Sequence, residues 1–145
     1  LNHLLARADR MIRRELPGTG VAFYLRQSDG CDLHSFVGEE VFACEQPGPQ
    51  EHLTPELIDG ICKSNKICTF AEISALDPAG DYRGLRRYSI VTLPLSDLGR
   101  SLGFLLLWRP SALPVTSEDV HRIESVLCGL SQAIRGIRVS LASSE

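Results

Sequence analysis

Residues 87–110 read RYSIVTLPLSDLGRSLGFLLLWRP, two apolar runs at 89–95 and 102–108 around the polar linker Ser96-Asp97-Leu98-Gly99-Arg100-Ser101. Along each run both alternating positions are mostly apolar. Ile90 opposes Val91 and Leu93, and Leu102, Phe104, Leu106 and Trp108 oppose Leu105 and Leu107. A strand with one wet face alternates apolar and polar residues, so these two runs predict strands covered on both faces. Asp97 and Gly99 in the linker favour a turn between antiparallel neighbours. The chain is thereby committed to a sheet with a layer packed on each side.

Composition narrows the class. The chain has 145 residues, 43% of them hydrophobic and 23% charged, with a formal net charge of −3. That length fits one domain able to bury about two-thirds of its unfolded surface. The mild acidity lends no support to nucleic-acid or membrane-surface binding, which usually rests on a basic excess. The longest apolar run, 102–108, falls far short of the roughly 20 residues that a membrane helix needs. Residues 1–16 carry scattered charges and no small-residue cleavage site, unlike a secretory signal. The five cysteines, Cys31, Cys44, Cys62, Cys68 and Cys128, are odd in number and scattered. They read as reduced thiols, and so predict a cytoplasmic protein. A start at Leu1 rather than methionine reads as a piece of something longer.

The remaining elements follow from periodicity. Residues 2–15 place Leu4, Leu5, Ala8, Met11 and Ile12 at helical spacing, and Pro17-Gly18 ends that helix. Residues 20–27 and 31–37 predict a hairpin about Ser28-Asp29-Gly30. A short strand is possible at 41–44. Thr54 and Pro55 start a helix to about residue 64, with Leu57, Ile58, Ile61 and Cys62 as its apolar stripe. Residues 67–71 predict a short strand and 72–84 a polar loop. Thr116 or Ser117 caps a final helix over 117–141, with Glu118 and Asp119 in its first turn. There Val120, Ile123, Leu127, Leu130, Ile134, Ile137 and Leu141 alternate three and four apart, as in a heptad seam. Such a seam packs on a sheet or on a partner helix, and Val126 and Ala133 widen it enough for both.

The order of elements carries a local pattern. Val91-Thr92-Leu93-Pro94-Leu95, a short turn, Leu102-Gly103-Phe104-Leu105-Leu106-Leu107 and then the helix start Thr116-Ser117-Glu118-Asp119 resemble the C-terminal half of a GAF domain. Residues 60–73, GICKSNKICTFAEI, resemble the helix end and short strand upstream. The resemblance spans about 5–141 and is loose over 38–53. It implies an α+β, GAF/PAS-like fold: a central antiparallel sheet of five to six strands, terminal helices on one face and a helix-loop layer on the other. The expected organisation is a single domain over 1–145, with the sheet and pocket layer at 20–109. Pro94 implies a strand edge, bulge or end, and Gly103 a bulge or close backbone approach where a helix crosses.

GAF domains are sensory and regulatory modules of bacterial signalling proteins, so the resemblance implies a non-catalytic domain relaying a signal to an attached output domain. The segment before the central hairpin borders the ligand pocket in that family. This makes Phe70, Tyr82, Arg86, Arg87 and Tyr88 the candidate ligand residues, with arginine suited to an anion and tyrosine to a ring. The competing reading is a solvated loop whose arginines pair with Glu39, Glu40 or Glu72. The asparagine-lysine-phenylalanine-aspartate-glutamate motif of cyclic-nucleotide GAF domains is incomplete, since Asn65-Lys66 precedes Phe70 without the acidic pair. A cyclic nucleotide or other small anion therefore remains one candidate. No cysteine precedes a histidine as in bilin carriers. Haem-binding relatives need an axial histidine, for which His34 and His121 are the candidates, although a lone histidine is more often structural or exposed. Candidate residues for a homodimer through the terminal helices are Leu4, Met11, Leu127, Leu130, Ile134, Ile137 and Leu141.

Chemistry elsewhere is sparse. Cys31-x-x-His34 is one close pair where a structural zinc site normally shows two, and an odd separation on a strand aims them at opposite faces. Cys62 and Cys68 are the nearest thiols for a reductase, but they lie on different elements. No nucleophile elbow or phosphate loop occurs, so neither a catalytic residue nor a metal ligand is assigned. The alternatives to a sensor are a ligand-free dimerisation or protein-interaction module and, less favoured, a thiol-dependent reductase.

Overall fold

The computed structural model describes residues 2–26, 33–37, 53–76, 82, 85–97, 99–110 and 112–143. Helix α1 (Asn2–Glu15) leads through Pro17-Gly18 into strands β1 (Gly20–Arg26) and β2 (Leu33–Val37). Helix α2 (Pro55–Ser64), the two-residue strand β3 (Cys68–Thr69) and helix α3 (Phe70–Leu76) follow. A 3-10 turn (Leu85–Arg87) opens β4 (Tyr88–Asp97), then come β5 (Arg100–Pro110) and α4 (Ser117–Ser143). The turn at 28–30, the strand expected at 41–44 and the stretch 38–52 lie outside the described residues.

The five strands form one antiparallel sheet in the order β2-β1-β5-β4-β3. The central hairpin is tighter than its composition suggests, because Asp97 pairs with Arg100 and leaves a two-residue turn with Gly99 at φ 80°. As expected, both faces of the sheet are covered. On one face, Val21, Phe23, Leu25, Val91, Leu93, Leu95, Leu105 and Leu107 meet α1 and α4. On the other, Ala22, Tyr24, Ile90, Phe104, Leu106 and Trp108 meet α2, α3 and Tyr82.

Leu102 departs from the simple alternation. A register shift at Leu95/Ser96 pairs Leu95 with Gly103 and Ser96 with Ser101, leaving Leu102 as an extra residue. That bulge turns Leu102 away from the Phe104 face and into the helix-side core. Gly103 sits beside it at φ 138°, and a Cβ there would run into the Tyr24 carbonyl. The close approach inferred at this glycine is therefore real, but the approaching backbone is strand β1 rather than a helix. Gly20 serves a second contact of this kind, since a Cβ would enter the Trp108 ring. Pro94 also behaves as its chemistry requires. Strand β3 covers only Val91 and Thr92, so the described part of β4 is an open edge from Leu93 onward, where a missing N–H is tolerated.

Helix ends obey local rules. Thr54 accepts from the Leu57 N–H at 3.2 Å, with Pro55 in the first turn of α2. At α4, Thr116 Oγ1 accepts from the Asp119 N–H at 3.2 Å, and Asp119 Oδ2 accepts from the Thr116 N–H at 3.0 Å. This reciprocal cap settles Thr116 rather than Ser117 as the start. The loop expected from residue 72 is instead α3 through Leu76, and β3 is correspondingly shortened. Glu72 accepts from the Thr69 N–H at 3.1 Å, fastening the first turn.

The seam of α4 is used inside the molecule. Val120, Ile123, Leu127, Leu130 and Ile134 are all buried in the cluster that α1 and the sheet complete. Leu127, Leu130 and Ile134, named above as interface candidates, therefore belong to the intramolecular core. Each side chain buried there contributes roughly 1.5–3 kcal/mol, which binds the helix to its own sheet. Of the other candidates, Met11 is 44% exposed, Leu4 is half-buried against the core and Ile137 is half-buried on α4. Leu141 lies in α4, but its side chain is outside what the structure describes.

Candidate functional site

The residues expected at the ligand pocket converge in part. Phe70, the first residue of α3, meets the buried Tyr82 edge-on, with ring centroids 6.0 Å apart at 86°. Both belong to the sheet-side cluster, and Tyr88 packs against the same cluster from the start of β4. The Tyr82 carbonyl accepts from the Arg86 N–H at 3.0 Å, so the buried ring anchors the 3-10 turn that carries Arg86 and Arg87. Both arginines are exposed. Phe70, Tyr82 and Tyr88 therefore share one aromatic cluster, with the turn that carries Arg86 and Arg87 at its rim. The acidic partners expected for a solvated loop are not all within view. Glu39 and Glu40 lie outside the described residues, whereas Glu72 is committed to the α3 cap.

Beneath this rim the layer is well filled. Tyr24 stacks on Phe104 with centroids 4.8 Å apart at 19°. Ile73, Ile61 and Cys62 are each at most 2% exposed. Burial pushes the Tyr24 hydroxyl up to about 12, because a phenolate would lose its hydration there.

The described thiols lie on three different elements. Cys62 on α2 and Cys68 in β3 are both buried and neither is in a disulfide, and Cys68 donates to the Lys66 carbonyl at 3.5 Å. Cys128 is exposed on the far side of the sheet, on α4. No group of three or more His, Cys, Asp or Glu side chains converges among the described residues. The pair Cys31 and His34 falls outside the side chains described. His121 stands on the surface of α4, 3.1 Å from Glu124, remote from the aromatic layer.

Two features escaped sequence reasoning. One is a polar lock behind the hairpin. Arg109 donates to Thr19 Oγ1 at 2.8 Å and to Asp119 Oδ2 at 3.0 Å, joining β5, the α1–β1 connection and the α4 cap. Nothing local to these three residues signals their meeting. The other is a groove of about 430 Å³ between α4 and the open edge of β4, on the helix side of the sheet.

An antiparallel sheet ordered 2-1-5-4-3, with terminal helices on one face and a helix-loop layer on the other, is the fold of GAF domains. Three solved structures are similar over most of their length. The GAF domain of a GAF/HD domain protein from Geobacter sulfurreducens matches with a TM-score of 0.67 at 12% identity, covering 95% of this chain and 94% of that one. The GAF domain of a phosphoenolpyruvate-protein phosphotransferase from Coxiella burnetii gives 0.67 at 14%, with 97% and 86% covered. A domain of a putative two-component sensor histidine kinase from Sinorhizobium meliloti gives 0.65 at 13%, with 100% and 97% covered. No protein-family model matches the sequence, and no curated protein does. Identity this low speaks for the fold alone.

Proposed function

We propose that this chain is a non-catalytic sensory or regulatory domain of a larger cytoplasmic signalling protein, binding a small ligand and acting on an attached output domain through α4. One observation carries the reading: α1 and α4 lie together on one face of the sheet, while the aromatic base with Arg86 and Arg87 lies on the other. A ligand on the aromatic side can move α4 only if it favours one arrangement of the layers over another. The odd number and scattered spacing of the five cysteines support a reducing compartment. Among the described residues no helix is long and apolar enough to cross a membrane. The ligand class that fits the rim is a small anion with a flat ring; no cofactor is assigned.

The relay is proposed to run through a homodimer, with Met11 and Ile137 at its interface rather than Leu130 or Ile134. The double variant Met11→Arg, Ile137→Arg is expected to sediment as a monomer with unchanged circular dichroism, where the parent sediments as a dimer. A parent chain that is monomeric at high-micromolar concentration removes the relay. The close packing of Tyr24, Phe104 and Ile73 favours a second reading, a ligand-free dimerisation module. Native mass spectrometry separates the two: a co-purified small molecule released by Arg87→Ala supports the sensor, and its absence supports the module.

A further inference from the structure

We infer that the groove between α4 and the open edge of β4 binds a small apolar amine, at a site separate from the aromatic layer and independent of the sensor reading. Its floor is apolar: Leu93, Pro94 and Leu127, with Ile67 left 45% exposed at one side. An isoleucine so exposed beside a groove of about 430 Å³ marks space for an apolar body the size of one substituted ring. The position follows from the fold. Strand β3 starts only at Cys68, opposite Thr92, so nothing described continues the sheet beside Leu93 and Pro94, and α4 overhangs the uncovered edge.

The polar wall sets the head group. Ser131 lines the groove at 8% exposure and makes no hydrogen bond among the described residues. The hydroxyl has no protein partner among those residues and opens toward the groove, so an occupant can bond it directly. Gln132 turns its amide nitrogen toward Cys128 Sγ at 3.9 Å, which leaves its carbonyl oxygen as the free end. Glu124 adds a carboxylate, and among the described residues no lysine or arginine lines the groove. Its only described partner is the exposed ring of His121. Three acceptors around an apolar floor call for a donor-rich, positively charged head, which is an ammonium group on an aromatic or branched aliphatic body. This is the opposite charge preference from the arginine rim across the sheet. An occupant here touches α4 directly.

Cys128 lies in the same wall and reports occupancy. The test is alkylation of the intact chain by N-ethylmaleimide, followed by peptide mass spectrometry, with buried Cys62 and Cys68 as slow internal references. Three probes share one apolar body: 4-phenylbutylamine, 4-phenylbutanol and 4-phenylbutyrate. The amine is expected to protect Cys128 about threefold to fivefold better than the carboxylate, the range for a half-exposed charge pair. Glu124→Gln is expected to reduce that preference, and Ser131→Leu to abolish protection by all three. Gln132→Lys, at an exposed position that does not test folding, is expected to invert the preference toward the carboxylate. Equal protection by amine and carboxylate, no saturable protection at millimolar probe, or a preference unmoved by Gln132→Lys overturns the inference.

Discussion

Replacing Gly103 by alanine adds one methyl group to the central strand of the sheet, and its cost can be worked from the backbone. The residue sits at φ 138°, a region that side chains other than glycine's rarely enter, and holding an alanine there costs of order 1–3 kcal/mol. The new Cβ also meets Tyr24 O and Leu25 Cα, atoms of strand β1 that no side-chain rotation moves aside. Relief requires β1 and β5 to part at the bulge that aims Leu102 into the core. Together these place the loss at about 3 kcal/mol, a large share of the 5–15 kcal/mol typical of a domain. For 145 residues that lowers the melting temperature by about 10 °C.

Gly129→Ala and Gly136→Ala are internal controls. Both glycines lie in α4 with nothing within 4 Å of an added Cβ, so each change is expected to stabilise by about 0.5–1 kcal/mol. Urea unfolding followed by circular dichroism reads all three in one assay. If Gly103→Ala falls within about 0.5 kcal/mol of the parent, the close approach and the bulge geometry derived from it are wrong. A loss at Gly129 or Gly136 that appears only in a dimer would instead place α4 against a partner helix.

The other stability tests probe polar contacts. Arg109→Met is expected to cost about 2–3 kcal/mol, since it strands Thr19 and Asp119 in a part-buried lock, measured by the same unfolding assay. The Thr116 backbone N–H, helped by the Thr116 hydroxyl and by the charges of Arg109 and Arg122, outweighs burial and holds the Asp119 carboxyl below its ordinary 3.8. The stability this contributes is complete above 3.8 and is lost as pH falls through the lower folded value, so Asp119→Asn is expected to flatten the acid limb of a stability-against-pH curve. Tyr24 has the opposite sign: its contribution is full below 10.0 and is lost as pH rises toward about 12. Absorbance at the phenolate band is expected to show one tyrosine titrating late, and Tyr24→Phe to remove that step. Thr54→Ala is expected to cost about 1 kcal/mol through the α2 cap, read by thermal melting.

How far the sequence could be read depended on the range of the interaction involved. Local rules found the helix starts, because Thr54-Pro55 and Thr116–Asp119 contain both partners of their own hydrogen bonds. The same rule was available at Thr69-Phe70-Ala71-Glu72, where threonine and glutamate three apart form half of a capping box. The polar composition after residue 72 concealed it, and a loop was expected where α3 begins. Alternation failed at Leu102 for a different reason. A period of two assumes that no residue is added, and one bulge moves every later side chain to the other face. Gly103 signalled that such an event occurs nearby, but its φ and the approach of Tyr24 come from the neighbouring strand.

The candidate sites divide along the same line. Tyr82, Arg86, Arg87 and Tyr88 are close in sequence, and their gathering at the mouth of β4 follows from one short turn. The heptad seam of α4 suited a sheet and a partner helix equally well, because both ask for apolar residues three and four apart. Only the position of α1 and the hairpin decides that Leu127, Leu130 and Ile134 face inward. The groove beside Ser131 had no local signature at all. It exists because β3 begins only at Cys68, opposite Thr92, while α4 runs alongside the uncovered edge at Leu93 and Pro94, and it brings residues 67, 94 and 131 together. Ser131 itself reads as an ordinary polar interruption of the apolar seam, between Leu130 and Ile134. Its meaning changes once α4 is laid beside the open edge of β4, because the helix then turns a hydroxyl without a described protein partner into the groove rather than to the outer surface.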